Sequence, residues 1–115
     1  MQARRWGRIV NISSVAARGA GAVGVAYNAS KAGLEGLTRG YASRVAKDGV
    51  TVNAVAPGPT DTDMGAPLKA AGVAARVPLG RMGLAEEVAQ ATVLVVANGF
   101  ITGQTIAVNG GLAFL

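Results

Sequence analysis

The apolar positions of this chain fall into short blocks whose period changes from strand to helix and back. RIVNISS, residues 8–14, carries β-branched side chains on both faces, the pattern of a strand buried between two layers, and ends on two serines. VAARGAGAVGVA, residues 15–26, is rich in Gly and Ala and keeps no period, so it reads as a mobile loop. Over roughly 27–47 the spacing becomes helical: Tyr27, Lys31, Leu34, Thr38, Tyr41 and Val45 recur at steps of four and three, with Tyr41 read as core. A turn at Asp48 and Gly49 leads into a second buried strand, Val50 to Ala56, which Pro57, Gly58 and Pro59 stop. Residues 60–84 are broken by Gly and Pro and read as irregular. From Ala85, Glu86 and Glu87 sit where a helix N-terminus favours negative charge, and Val88, Ala91, Thr92, Val95 and Val96 continue one helical face, although the Val-rich end also suits a strand. GQTIAVNGG supplies a third short strand between glycines.

The order strand, helix, strand, helix, strand predicts an α/β fold with a parallel sheet covered by helices, joined by right-handed crossovers. In such a sheet the carboxyl ends of the strands and the amino ends of the following helices share one edge, where ligands bind. That edge gathers Ser13 and Ser14, then Tyr27 and Lys31 on the first turns of the helix, then PGPTDT after the second strand.

Composition narrows the chemistry. The 115 residues are half apolar, enough for one domain with a core. They include no histidine and no cysteine, which removes zinc sites, disulfides, thiol nucleophiles and Ser-His-Asp triads and leaves Tyr, Lys, Asp and Glu as acids or bases. No metal is expected. The absence of cysteine fits a reducing compartment, and a cytoplasmic location is expected. The net charge of +5, with Arg4, Arg5 and Arg8 crowded at the start, reads as a solvated basic face. Aromatics are scarce and no nucleic-acid motif occurs, so nucleic acid is not an expected partner. No apolar run approaches the ~20 residues that cross a bilayer, so no membrane partner is expected either.

Residues four apart on a helix face the same way, so Lys31 sits one turn from Tyr27 without further arrangement. A phenol with an ordinary pKa near ~10 is ionised in about one molecule in a thousand at neutral pH, too few for an efficient base. One positive charge at ~4 Å, at an effective dielectric of ~20, supplies about 4 kcal/mol toward ionisation, which is enough. A hydroxyl such as that of Ser14 then holds a substrate oxygen as negative charge develops. The result is a proton-transfer site for an alcohol or carbonyl, and oxidation or reduction there requires a redox cofactor such as a nicotinamide.

GRIVNISS, the thirteen-residue step from Ser14 to Tyr27, YNASKAGLEGLTRGYA, VTVNAVAPGPTDTDM, PLGRMGLAEEVAQATVLVVA and FITGQTIAVNGG together resemble the short-chain dehydrogenase/reductase family, closest to its 3-oxoacyl carrier protein reductase type. The resemblance covers almost the whole chain. It implies that Tyr27 is the catalytic acid/base, that Lys31 acidifies it and binds the nicotinamide ribose, and that Ser14 orients the substrate oxygen. It further implies that Pro57 and Gly58 begin a loop beside the nicotinamide, and that Thr60 and Thr62 contact its carboxamide. NAD or NADP is the implied cofactor, a small alcohol or carbonyl the substrate, and a homo-oligomer the full-length form.

Family members are about twice as long. The chain has no Gly-rich dinucleotide turn, no residue selecting NAD from NADP, and no counterpart of the family's catalytic asparagine before RIVNIS. Residues 1–115 are therefore expected to form the C-terminal half of a Rossmann-like doubly wound parallel sheet, a partial domain whose Met1 resembles an internal methionine. VVANGFITG looks about three residues shorter than the usual link between last helix and last strand. The alternative expectation is an inactive fragment that at most self-associates through Ala29, Gly33, Gly36 and Gly40.

Overall fold

The computed structural model describes residues 1–114. Three parallel strands, β1 (Gly7–Ile12), β2 (Val50–Pro57) and β3 (Thr105–Val108), lie in the order β1-β2-β3. Gly7 is opposite Val50 and Ile12 opposite Val55 in the first pair, and Ala54 is opposite Thr105 in the second. Two long helices connect them, α1 (Val25–Val45) and α3 (Ala85–Ala97), with a short α2 (Ala66–Ala70) in the long connection. The Val-rich end of α3 is helical throughout. No helix among the described residues is long and apolar enough to cross a membrane.

β2 is the centre of the core. Val50, Val52, Ala54, Val55 and Ala56 are all buried, as expected of a strand with a neighbour on each edge and a helix on each face. The two helices cover opposite faces. Asn11 and Arg8, three apart in β1, point to opposite sides of the sheet. Asn11 donates to Thr38 Oγ1 of α1 at 2.9 Å, whereas Arg8 Nε donates to Val96 O of α3 at 3.0 Å. Both crossovers step the same way across the sheet, so helices on opposite faces give them opposite hands, and the right-handed rule holds for only one.

The compact link between α3 and β3 is built around one buried amide. Asn53, 1% exposed in the middle of β2, donates to Ile101 O at 2.8 Å and accepts from Gln104 N at 3.1 Å. Thr102 Oγ1 accepts from Val52 N and Gly103 N donates to Val52 O at 2.8 Å, so side-chain and backbone groups of the segment before β3 together satisfy β2 before the regular ladder begins.

The basic start of the chain has a structural use. Arg5 donates to Lys47 O beyond the end of α1, and Arg8 to Val96 O at the end of α3, placing guanidinium groups where helix carbonyls lack partners. Arg8 also lies 5.2 Å from the Trp6 ring centroid. Arg5 O packs so closely on Gly49, at φ 74°, that a β-carbon there would collide with it. The outer edge of β1 carries no strand among the described residues, and Trp6 and Ile12 are exposed beside it.

One reading of α1 is corrected. Tyr41 is 53% exposed, not core, because the buried stripe is Glu35, Thr38 and Ala42. Ala29, Gly33, Gly36 and Gly40 lie on the outer side, and a β-carbon at Gly33 would meet nothing. The loop at 15–26 is also more ordered than its composition suggests, opening with a 3-10 turn over Val15–Ala17.

The residue before α3, Leu84, has no side-chain acceptor for the first amides of the helix, and Glu87 reaches back to accept the Leu84 N–H itself at 2.8 Å. Arg81 grips the same carboxylate with two bonds, at 2.6 and 2.9 Å. Arg81 first, and the Leu84 amide second, lower the Glu87 pKa from 4.5 to about 2. A depressed carboxylate stabilises the fold fully above its ordinary pKa and loses that contribution as pH falls through the folded value. Denaturation midpoints followed by circular dichroism between pH 5 and pH 2 should therefore fall more steeply for the wild type than for Glu87→Gln. Parallel curves would remove the cap from the account.

Candidate active site

Strand β1 delivers its last residues to the carboxyl edge of the sheet. Ser13 N still bonds to Val55 O at 2.7 Å, and Ser13 is buried. Ser14, extended at φ −165° and ψ 155°, then caps the 3-10 turn, its Oγ accepting from Ala16 N at 3.2 Å. The chain returns through Gly24, whose φ of 134° suits glycine, into the first turn of α1.

Tyr27 is half-buried on that turn, and Lys31 follows it one turn on. The Lys31 ammonium lies 5.5 Å from the centre of the Tyr27 ring and donates to Ile12 O at 2.8 Å. The helical spacing therefore brings the pair together as expected, and β1 fixes the lysine in place. An ammonium has three donors, so after the bond to Ile12 O two remain for a ligand at this edge.

The loop after β2 is held to β3. Gly58 N bonds to Val108 O at 2.9 Å, and a β-carbon on Gly58 would come within 2.9 Å of Asn109 Cα, so only glycine fits without displacement. Thr60 Oγ1 donates to Gly58 O at 3.0 Å, and Thr62 Oγ1 accepts from Gly65 N at 3.3 Å. Gly83 N to Pro59 O and Asp61 N to Gly83 O close the neck of the 60–84 segment, while Met82 and Val77 are buried. Pro57, Gly58, Thr60 and Thr62 thus form one tied loop. No hydrogen bond among the described residues joins it to Tyr27 or Lys31. A cavity of about 310 Å³ lies between this loop and β3, walled in part by Pro59, Leu79, Arg81 and Asn109, and contains none of Ser14, Tyr27 and Lys31.

The structure adds residues that sequence reasoning passed over. Glu35, one turn beyond Lys31, is buried at 3% exposure and paired with Arg18 and Ser13. The available signal was the continuation of the four-residue step, Tyr27, Lys31, Glu35, on a helix whose other faces are mostly small.

Residues 1–113 match the family model described as Enoyl-(Acyl carrier protein) reductase. The chain is 46% identical over 117 aligned positions to the 3-oxoacyl-[acyl-carrier-protein] reductase FabG of Pseudomonas aeruginosa, covering 97% of this chain and 47% of that protein. It is 48% identical to carbonyl reductase family member 4 of Danio rerio, over 95% of this chain and 46% of that protein. A solved structure assigned to an NAD(P)-dependent gluconate 5-dehydrogenase of Beutenbergia cavernae, with NADP bound at low occupancy, superposes with a TM-score of 0.91 at 40% identity. That match covers 97% of this chain and 48% of the other. The chain thus spans about half the length of these relatives. Three parallel strands with helices on both faces, the family-model match over residues 1–113, the identity to these oxidoreductases and the superposition agree that the chain belongs to the short-chain dehydrogenase/reductase family and has the Rossmann-like fold of half such a domain.

Proposed function

We propose that these residues carry the proton-transfer half of an NAD(P)-dependent oxidoreductase that interconverts an alcohol and a ketone or aldehyde. The observation that carries the reading is the Lys31 ammonium held between Ile12 O and the Tyr27 ring. A positive charge there stabilises negative charge on the phenolic oxygen as its proton departs. Tyr27 passes that proton to or from the substrate oxygen, and Ser14 donates to the same oxygen as charge builds on it.

The residues present suit a nicotinamide cofactor. Lys31 has donors left for ribose hydroxyls, and the loop begun by Pro57 and Gly58, with Thr60 and Thr62 on it, would hold the carboxamide of a bound nicotinamide. When bound, the nicotinamide supplies or accepts the hydride. The relatives named for 3-oxoacyl-[acyl-carrier-protein] reduction make a 3-oxoacyl thioester the first substrate to assay. The small outer face of α1, with Leu37 and Tyr41 exposed beside Gly40, supports self-association of the same protein.

The test is a chimera in which this chain replaces the matched region of the Pseudomonas aeruginosa reductase. Tyr27→Phe should lower kcat by roughly 10²-fold or more, the scale of lost acid–base catalysis, with NADPH binding nearly unchanged. Lys31→Ala should weaken both. Unaltered turnover in Tyr27→Phe would reject the role.

A second reading, that the 115 residues alone do not turn over, is favoured by the lack of any Gly-rich phosphate turn in them. Calorimetry of the chain with NADH and with NADPH should show no binding at micromolar concentrations. A micromolar dissociation constant for either would overturn that reading.

A further inference from the structure

The proton-transfer scheme leaves one buried carboxylate unused. Glu35 sits on α1 at the same four-residue step from Lys31 that separates Lys31 from Tyr27. A carboxylate out of water needs partners, and Glu35 has two. Its Oε2 accepts from Arg18 Nε at 2.8 Å, and its Oε1 from Ser13 Oγ at 3.2 Å. The Ser13 hydroxyl also lies 3.3 Å from Lys31 O, so its single proton is shared between helix backbone and carboxylate.

The two donors bracket Ser14. Ser13 precedes it, and Arg18 ends the 3-10 turn that Ser14 caps. Within that bracket Ala17 N bonds to Ser14 O at 3.0 Å, Arg18 N to Val15 O at 3.2 Å, and Ala16 N to Ser14 Oγ. Beyond Arg18 the chain runs through Gly19, Ala20, Gly21 and Ala22, all exposed. Glu35 is therefore the point at which the helix carrying Tyr27 and Lys31 grips both ends of the turn carrying Ser14. The carboxylate is nearly sealed, and Arg18, with its side chain 41% exposed, closes the cluster from the solvent side.

We infer that Glu35, acting through Ser13 and Arg18, is a positioning residue that fixes the Ser14 hydroxyl relative to Tyr27 and Lys31. The inference rests on the proposed function only for the role given to Ser14. A hydroxyl on a tethered turn is oriented before substrate arrives, whereas one on a loose Gly/Ala loop must be ordered in each cycle.

Amide hydrogen exchange by NMR on the full 115-residue chain tests the tether, comparing wild type with Glu35→Gln, Arg18→Gln and Arg18→Lys. Arg18→Gln cuts the link from its exposed end, so the test survives if Glu35→Gln does not fold. We expect the amides of Ala16 and Ala17 to exchange at least tenfold faster in Arg18→Gln, with Val52 to Ala56 unchanged and part of the protection restored in Arg18→Lys. In the chimera described above, Arg18→Gln should lower kcat about tenfold with the KM for NADPH unchanged. Unchanged exchange at Ala16 and Ala17, equal acceleration in β2, or unaltered kcat would each overturn the inference. Tyr27→Phe decides the proton-transfer reading without touching these exchange rates, so the two fail separately.

Discussion

A single ammonium group ties the helix that carries the proposed proton-transfer pair to the strand before it. Lys31 donates to the last carbonyl of β1 and lies against the ring of Tyr27, so one side chain joins the end of a strand to the first turn of the following helix. The helix alone brings tyrosine and lysine to one face, but it does not restrain a four-carbon stem with many rotamers. The bond to Ile12 O restrains that freedom and holds the charge at the carboxyl end of β1.

Around that contact the molecule is a layered support. β2 is buried on both faces and both edges, and its one amide side chain, Asn53, holds the short link into β3. The arginines at the start of the chain close the carbonyl ends of α1 and α3 at the opposite end of the sheet. Helix starts and strand ends thereby lie at the other edge, the one where the proposed site stands.

Much of this is legible in the sequence because β-branched runs and glycine turns speak for themselves. Three strands follow from the β-branched runs and their glycine and proline stops, α1 and the Tyr27 and Lys31 pair from helical spacing, and α3 from the same spacing although its Val-rich end also suits a strand. The rotation of α1 does not. Tyr41 fits the helical step but is exposed, since Gly33, Gly36 and Gly40 strip the outer face of side chains and the inner face is marked by Glu35, Thr38 and Ala42. Apolar character stops indicating the inside when one face has almost no side chains and the other buries an acid. The burial of Glu35 is hidden for the same reason: a lone acid on a helix normally reads as solvated, and its charged partner, Arg18, lies in a loop whose composition suggests no order. The opposite hands of the two crossovers were equally invisible, because a connecting segment carries no local mark of the face it crosses.

The most direct test of the central contact is solution NMR of the chain with Lys31 assigned. Nuclear Overhauser contacts between the ε-methylene protons of Lys31 and the ring protons of Tyr27, together with a ring-current shift of those methylenes that disappears in Tyr27→Leu, are the predicted result. Lys31 methylenes at random-coil shifts with no contact to the Tyr27 ring would contradict it.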